Sequence, residues 1–243
     1  MSNPLIRKLE VADGLTDEDR ATLERLCDHA QQVAADKDLT CEGDRPENVH
    51  LVLDGFAARY KLLADGKRQI MAVLLPGDFC DLHVAILREM DHSIMTLTPC
   101  TIVTIPRATI IELTENHPRI NRALWWSTLV DEGVLREWLV NLGQRQAEER
   151  MAHFFCEMLV RLQTVGLADE SSYALPLTQA ELGDIFGISS VHVNRALQDL
   201  RKADLIILKN RRLEIPDVDR LKAYSGFRPN YLHLSSRPNG CDA

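Results

Sequence analysis

Near the start of the chain, Leu23, Leu26 and Ala30 follow a helical period. Thr16 with Asp19 reads as an N-cap and acidic first turn, so a short opening helix is predicted from about Thr16 to Gln32. From Val33 to Pro106 the period falls to two. Val49, Leu51 and Leu53 alternate up to an Asp54-Gly55 turn, and Ala58, Tyr60 and Leu62 alternate up to Asp65-Gly66. Ile70, Ala72 and Leu74 lead into the turn Pro76-Gly77-Asp78, and Ile102 to Ile105 reads as a last strand closed by Pro106. Short strands at this spacing predict a β-sandwich or barrel.

A long helix is predicted from Pro118 to about Leu142. Ile120, Leu124, Leu135, Trp138 and Leu142 form its stripe, and Trp125, Leu129 and Leu139 widen it. So much apolar surface suits either packing within the chain or a partner helix. Leu124, Leu135, Trp138 and Leu142 are assigned to a dimer contact. Gly143 weakens the helix, a hinge is placed at Asn141 to Gln146, and a further helix over Ala147 to Leu162 turns Met151, Phe154, Phe155, Met158 and Leu159 inward. The stretch from Ser225 to Ala243, rich in Ser, Pro, Asn and Gly, is expected to be a flexible tail.

The most informative segment is Leu177 to Arg201. Thr178 and Glu181 make a capping box for a helix that buries Leu182 and Ile185 and stops at Gly187. Ser189 caps a second helix at once, burying Val193, Ala196, Leu197 and Leu200 and leaving Ser190, His192, Asn194, Arg195, Gln198 and Arg201 outside. Two short helices across a tight turn form a helix-turn-helix, whose second helix presents its N-terminal residues to base edges in the major groove. Arg195 suits guanine O6 and N7, Asn194 suits adenine or a phosphate, and Ser189 with the exposed amides suits a phosphate. Beyond it, Leu205 to Ile215 with the basic turn Lys209-Asn-Arg-Arg212 reads as a wing that touches phosphate without reading sequence. The DNA-binding set is Thr178, Gln179, Ser189, Ser190, His192, Asn194, Arg195, Lys209 and Arg211.

A net charge of -8 argues against nucleic acid only until it is resolved along the chain. Residues 1–146 carry 16 Lys and Arg against 23 Asp and Glu, whereas residues 185–212 carry six basic and two acidic side chains. Local charge is what meets phosphate. The six cysteines are scattered without a Cys-x-x-Cys pair, so reduced thiols are expected in place of a disulfide framework or zinc ribbon. No apolar run reaches the ~18 residues of a membrane span, and Met1 to Glu10 lacks a signal-peptide core. A cytoplasmic protein without a membrane partner is expected.

Segment 177–201, supported by Pro76-Gly77-Asp78-Phe79 and Arg150-Met-Ala152, resembles the Crp/Fnr family of bacterial transcription regulators over roughly residues 15–222. The resemblance implies an α+β chain: an N-terminal cyclic-nucleotide-binding-type β-roll, a long dimerisation helix and a C-terminal winged helix-turn-helix. The corresponding divisions are 1–117, 118–146 and 147–224, followed by the tail 225–243. It further implies a homodimer on a roughly palindromic site, with double-stranded DNA and RNA polymerase as partners. The family's recognition helix usually carries a Glu and an Arg; Arg195 matches the Arg, while Val191 stands in place of the Glu.

Cyclic-nucleotide-binding members hold the ribose and phosphate with a Gly-Glu pair and an Arg-Ser or Arg-Thr pair. The matching positions give effector-pocket candidates Gly77, Asp78, Phe79, Cys80, Asp81, His92 and Ser93, with His92 in place of the phosphate-binding Arg. An imidazole beside Asp91 substitutes poorly for a bidentate guanidinium, so ordinary cyclic-AMP control is not expected, although a cyclic nucleotide or other small effector stays open. The chain shows no N-terminal cysteine cluster like that of the family's iron–sulfur oxygen sensors. Cys80, Asp81, His83 and His92 offer a metal or redox set, weighed against a buried thiol with two surface histidines, and no metal site is assigned. The competing reading is a ligand- or metal-binding β-roll without DNA binding; a third is a module that binds protein. Nothing in the motifs points to an enzyme: there is no phosphate-cradling Gly-rich loop, Gly-x-Ser-x-Gly elbow or His-Glu-x-x-His.

Overall fold

Alternation of apolar residues builds the first half of the chain, in which a computed structural model describes residues 3–12 and 14–234 of the whole. Strands β1 (Ala30–Val33), β3 (Asn48–Asp54) and β7 (Cys100–Pro106) form one antiparallel sheet in the order β1-β7-β3. β2 (Asp38–Thr40), β4 (Ala57–Leu62), β5 (Arg68–Leu74) and β6 (Ser93–Thr96) form the other, in the order β2-β6-β4-β5. Val49 pairs with Ile105 and Leu51 with Val103, so the inward side chains of β3 and β7 are all buried in one core. Together the sheets make the predicted β-roll.

Two helices precede the roll: α1 (Pro4–Glu10) and α2 (Asp17–Leu26). The opening helix predicted to reach Gln32 ends at Leu26, because Ala30 to Val33 pair with Val103 to Cys100 as β1. That edge strand is mostly exposed, and Gln32 donates from Nε2 to Thr101 Oγ1 at 2.8 Å, so ladder bonds hold it where apolar alternation does not. α1 was not legible as an element. Its Pro4 carbonyl lies where a Cβ on Gly77 would come within 2.7 Å, so glycine at this turn, with φ +94°, lets α1 approach the roll.

After β7 the chain turns through α3 (Arg107–Asn116) into α4 (Pro118–Gln144), 27 residues long. α5 (Ala147–Thr164) follows after the two residues Arg145 and Gln146, within the expected hinge. The remainder is β8 (Ser172–Ala174), α6 (Gln179–Phe186), α7 (Ser190–Lys202), β9 (Ile207–Lys209), β10 (Arg212–Glu214) and α8 (Val218–Ser225), with a sheet ordered β8-β10-β9. One core runs from Phe56, Ile70 and Val73 of the roll through Val134 and Trp138 to Phe154, Leu182 and Leu197. The second half is therefore docked on the first. Arg68 Nε donates to Asp184 Oδ2 at 2.8 Å, and Gln69 Nε2 donates to the Ile185 carbonyl at 3.1 Å. Arg150 Nη1 donates to the Phe186 carbonyl at 2.9 Å, tying the end of α6 to α5.

The stretch from Ser225 onward is not a flexible tail as far as residue 234, because Phe227, Tyr231 and Leu232 are buried and Tyr231 donates its hydroxyl to Glu157 Oε2 at 2.9 Å. The part from 235 to 243 lies outside the described residues. Along α4, Leu124 and Trp138 are buried within the chain and are not available to a partner, whereas Leu135 and Leu142 are exposed. The most exposed apolar residues of α4 are those that widened the stripe: Trp125, Leu129 and Leu139, the last 73% exposed. A helix apolar on most of its circumference does not reveal from spacing alone which side its own chain covers.

Candidate nucleic-acid interface and effector pocket

The local sequence sets the helix-turn-helix. Thr178 Oγ1 accepts from the Glu181 amide at 3.2 Å, and Glu181 Oε2 accepts from the Thr178 amide at 2.6 Å, closing the predicted capping box at the start of α6. Gly187 ends α6 in the left-handed region at φ 65°, which a side chain would disfavour. Ser189 then caps α7, accepting from the His192 amide at 3.4 Å and bonding His192 Nδ1 at 2.7 Å. Val193, Ala196, Leu197 and Leu200 are buried, so Ser190, Val191, His192, Asn194, Arg195 and Gln198 face outward.

The structure brings the predicted readers together. Asn194 Nδ2 donates to Gln179 Oε1 at 3.4 Å, linking the first turn of α6 to α7. Arg195 makes no side-chain hydrogen bond or ion pair among the described residues, so its five donors stay available. Val191, at 77% exposure, is an apolar residue on the same outward face of α7, and its methyls suit a thymine methyl. Asn210 and Arg211 both have positive φ, so β9 and β10 are joined by a tight two-residue turn that holds the wing tip out. Lys209 and Arg211 are exposed without a side-chain partner among the described residues, while Arg212 is bound by Asp169 and Ser172.

The effector-pocket candidates are placed differently from one another. Phe79 and Cys80 are buried in the core of the roll, and burial foremost, with Asp81 next, pushes the Cys80 thiol well above its ordinary value. Such a thiol stays protonated and unreactive. Asp81 is fully buried, accepting from the His50 amide at 2.6 Å and meeting His50 Nδ1 at 2.8 Å. Ser93 Oγ accepts from the Glu42 amide. Gly77 sits beneath α1, as described, and only Asp78 lines a cavity, which lies between α4, α5 and α1 and is bounded also by Lys8, Trp126, Val130, Asp131 and Arg161. Asp78 Oδ1 lies 2.7 Å from Lys8 Nζ, and Oδ2 lies 2.8 Å from Arg161 Nη2. Burial would raise the Asp78 carboxyl, but Lys8 and Arg161 outweigh it and hold it below the usual range.

His92, in the position of a phosphate-binding arginine, is buried with Nδ1 2.7 Å from Asp91 Oδ1. The hydrogen bond from His92 is the first cause that lowers the Asp91 carboxyl, so Asp91 is ionised. His83, nearby, is lowered by burial first and by the Arg59 charge second, so its ring is neutral at pH 7. A cyclic phosphate placed here would meet the Asp91 carboxylate and the imidazole of His92 in place of an arginine, and the cations at Asp78 are already paired. These residues do not fit a cyclic nucleotide bound through an arginine clamp.

Sequence reasoning missed Lys8, Arg59, Arg161 and Asp131. Arg59 Nη2 bonds Asp131 Oδ2 of α4 at 3.1 Å and the Phe79 carbonyl at 2.9 Å. Arg59 alternates with Lys61 at the polar positions of β4, so the pattern did not single it out, and Lys8 had no signal.

Comparison with known proteins agrees with this geometry. The family described as the Crp-like helix-turn-helix domain matches residues 149–224, and the cyclic nucleotide-binding domain family matches residues 30–117. The chain is 27% identical over 221 residues to the transcriptional activatory protein AadR of Rhodopseudomonas palustris, covering 90% of both chains. It is 26% identical over 225 residues to the transcriptional activator protein FnrL of Cereibacter sphaeroides, covering 91% of this chain and 90% of that one. The solved structure of FixK2 from Bradyrhizobium japonicum superposes with a TM-score of 0.71 at 27% identity, over 81% of this chain and 97% of that one.

Proposed function

The chain belongs to the Crp/Fnr family of helix-turn-helix transcription regulators, and is not an enzyme; from that premise we propose that it acts as a homodimer on a two-fold symmetric DNA site, with Arg195 as principal base reader. The observation that carries this reading is the outward face of α7, where Arg195, unpaired among the described residues, stands beside Asn194 and His192 on a helix capped by Ser189. Thr178, Gln179, Ser189 and Ser190 position the helix on phosphates, and Lys209 and Arg211 hold the neighbouring backbone. Two-fold symmetry in the protein matches half-sites one helical turn apart.

The dimer contact is the exposed side of α4: Trp125, Leu129, Leu135, Leu139 and Leu142, interrupted by the Glu132–Arg136 ion pair at 2.9 Å. The roll takes a small effector other than a clamped cyclic nucleotide, and the signal reaches the DNA-binding half through α4 and the hinge. RNA polymerase is the further partner implied by the family. No helix among the described residues is long and apolar enough to cross a membrane, which supports a cytoplasmic place of action.

The test is selection of bound sequences from a random DNA library, with wild type and Arg195→Ala compared at about 150 mM salt, where nonspecific binding is suppressed. A symmetric motif lost in the variant is expected. A wild type that enriches nothing, with or without added cyclic nucleotides, refutes the reading. Tight nucleotide binding by calorimetry refutes the effector statement alone.

A further inference from the structure

Three side chains that take no part in the helix-turn-helix converge where the 3-10 turn Leu82–Ala85 meets the start of β6: His83, Asp91 and His92. Each offers one ligand atom, and these atoms lie within 4.8 Å of one another. The two imidazole centroids are 5.4 Å apart. His92 is 8% exposed, and its Nε2 is buried without a hydrogen-bond partner among the described residues; His83 Nε2 is in the same condition. Buried polar atoms are almost always satisfied, so two orphaned ring nitrogens on neighbouring rings, tilted 44° to each other, ask for a common partner. Asp91 Oδ1 lies 2.7 Å from His92 Nδ1, and a hydrogen bond donated from that nitrogen to the carboxylate leaves the His92 lone pair on Nε2.

We propose that His83, Asp91 and His92 form a binding site for a divalent first-row transition cation of the zinc or cobalt kind, with water completing its coordination. Two imidazoles and a carboxylate suit such cations better than Ca²⁺ or Mg²⁺, which take oxygen ligands. The adjacent Cys80 and Asp81 are excluded from the set, since Cys80 is fully buried and Asp81 is held by His50. The ligands flank the segment 86–90, in which Ile86 is 80% exposed, so a bound cation staples this segment at both ends. Arg59, which donates to the Cys80 and Phe79 carbonyls just before this turn, also bonds Asp131 of α4, so a cation at the site acts beside a side chain that joins the roll to the dimer helix. That last consequence rests on the regulator reading, while the binding itself does not.

The full chain, stripped with EDTA, is titrated with Co²⁺ and then with competing Zn²⁺, followed by visible absorption and calorimetry. One Co²⁺ per chain is expected, with affinity reduced roughly 100-fold or more in His83→Gln and in His92→Gln, and unchanged in His29→Gln on an exposed turn. Unchanged affinity of the stripped variants for the selected DNA shows that they are folded. A wild type that takes up neither ion, or glutamine variants that bind as tightly as wild type, overturns the site. Metal uptake through these residues by a chain that selects no DNA leaves the site standing and refutes the regulator reading; DNA selection without metal uptake does the reverse.

Discussion

Arg161 Nη2 lies 2.8 Å from Asp78 Oδ2, so helix α5 of the DNA-binding half is fastened to the Gly77 turn of the roll. Lys8 takes the other oxygen at 2.7 Å, and Arg161 also donates to the Val73 carbonyl and Glu157. Three segments far apart in sequence thus meet at one carboxylate. Removing one partner from a largely buried ion pair strands the other, so Arg161→Ala should cost about 3–5 kcal/mol in a urea melt. Because the Asp78 pKa is lowered, its contribution is complete above the unfolded value of about 3.9 and drains as pH falls through the native value. An Arg161→Ala melt that coincides with wild type at pH 7 would show that the contact contributes nothing.

At the wing, Lys209 and Arg211 have no side-chain partner among the described residues, while Arg212 is engaged by Asp169. Phosphate contacts position without reading sequence, so Lys209→Ala and Arg211→Ala should each weaken binding to all DNA sequences alike and reduce the salt slope by about 1. Arg195→Ala should instead lose about 1–3 kcal/mol at particular base pairs. Fluorescence anisotropy over a salt series distinguishes the two. A wing variant that changes the preferred sequence and leaves the slope intact would contradict this division.

Leu139 is 73% exposed on α4, whereas Trp138, one residue earlier, is 6% exposed and donates from Nε1 to Glu157 at 3.1 Å. Leu139→Glu should therefore leave the monomer fold intact and dissociate the dimer in sedimentation. Trp138→Ala should lower stability by about 3–5 kcal/mol, since it opens the core and takes a donor from a buried carboxylate. A Leu139→Glu protein that still sediments as a dimer would move the contact off this face.

How much was legible depended on how local the cause was. The caps at Thr178 and Ser189 and the stop at Gly187 are written within three residues of where they act, and they hold as predicted. Alternation found β3, β4, β5 and β7, but β1 is mostly exposed and owes its place to the ladder with β7. Lys8 could not be read at all, because its partner Asp78 lies 70 residues away. Residue types suggested grouping Cys80, Asp81, His83 and His92, and the backbone instead turns Asp81 to His50 and brings Asp91 to His83. Pro and Ser in the last segment suggested mobility, yet the aromatic rings of Phe227 and Tyr231 flank His153.

That same His153 gives the hinge a measurable pH dependence. It is completely buried, with Nδ1 3.0 Å from Asn141 Nδ2 and Nε2 3.1 Å from Glu137 Oε1; that carboxylate favours the charged ring, but burial first, then the Arg145 charge, lowers the pKa to about 3. A neutral ring accepts from the Asn141 amide, so the contact between α4 and α5 requires the unprotonated form. Between about pH 6.5 and the native value the unfolded chain binds one more proton than the folded one. Stability is therefore complete above pH ~6.5 and falls with pH below it, by up to about 1.4 kcal/mol per unit from this group. Glu157 is shifted the other way, raised by burial, so its titration partly offsets the slope in wild type. Comparison with His153→Gln isolates the imidazole: urea melts from pH 7 to 4.5 should show a shallower decline in the variant by up to one proton. Parallel curves would mean that His153 is already protonated, or exposed, in the folded protein.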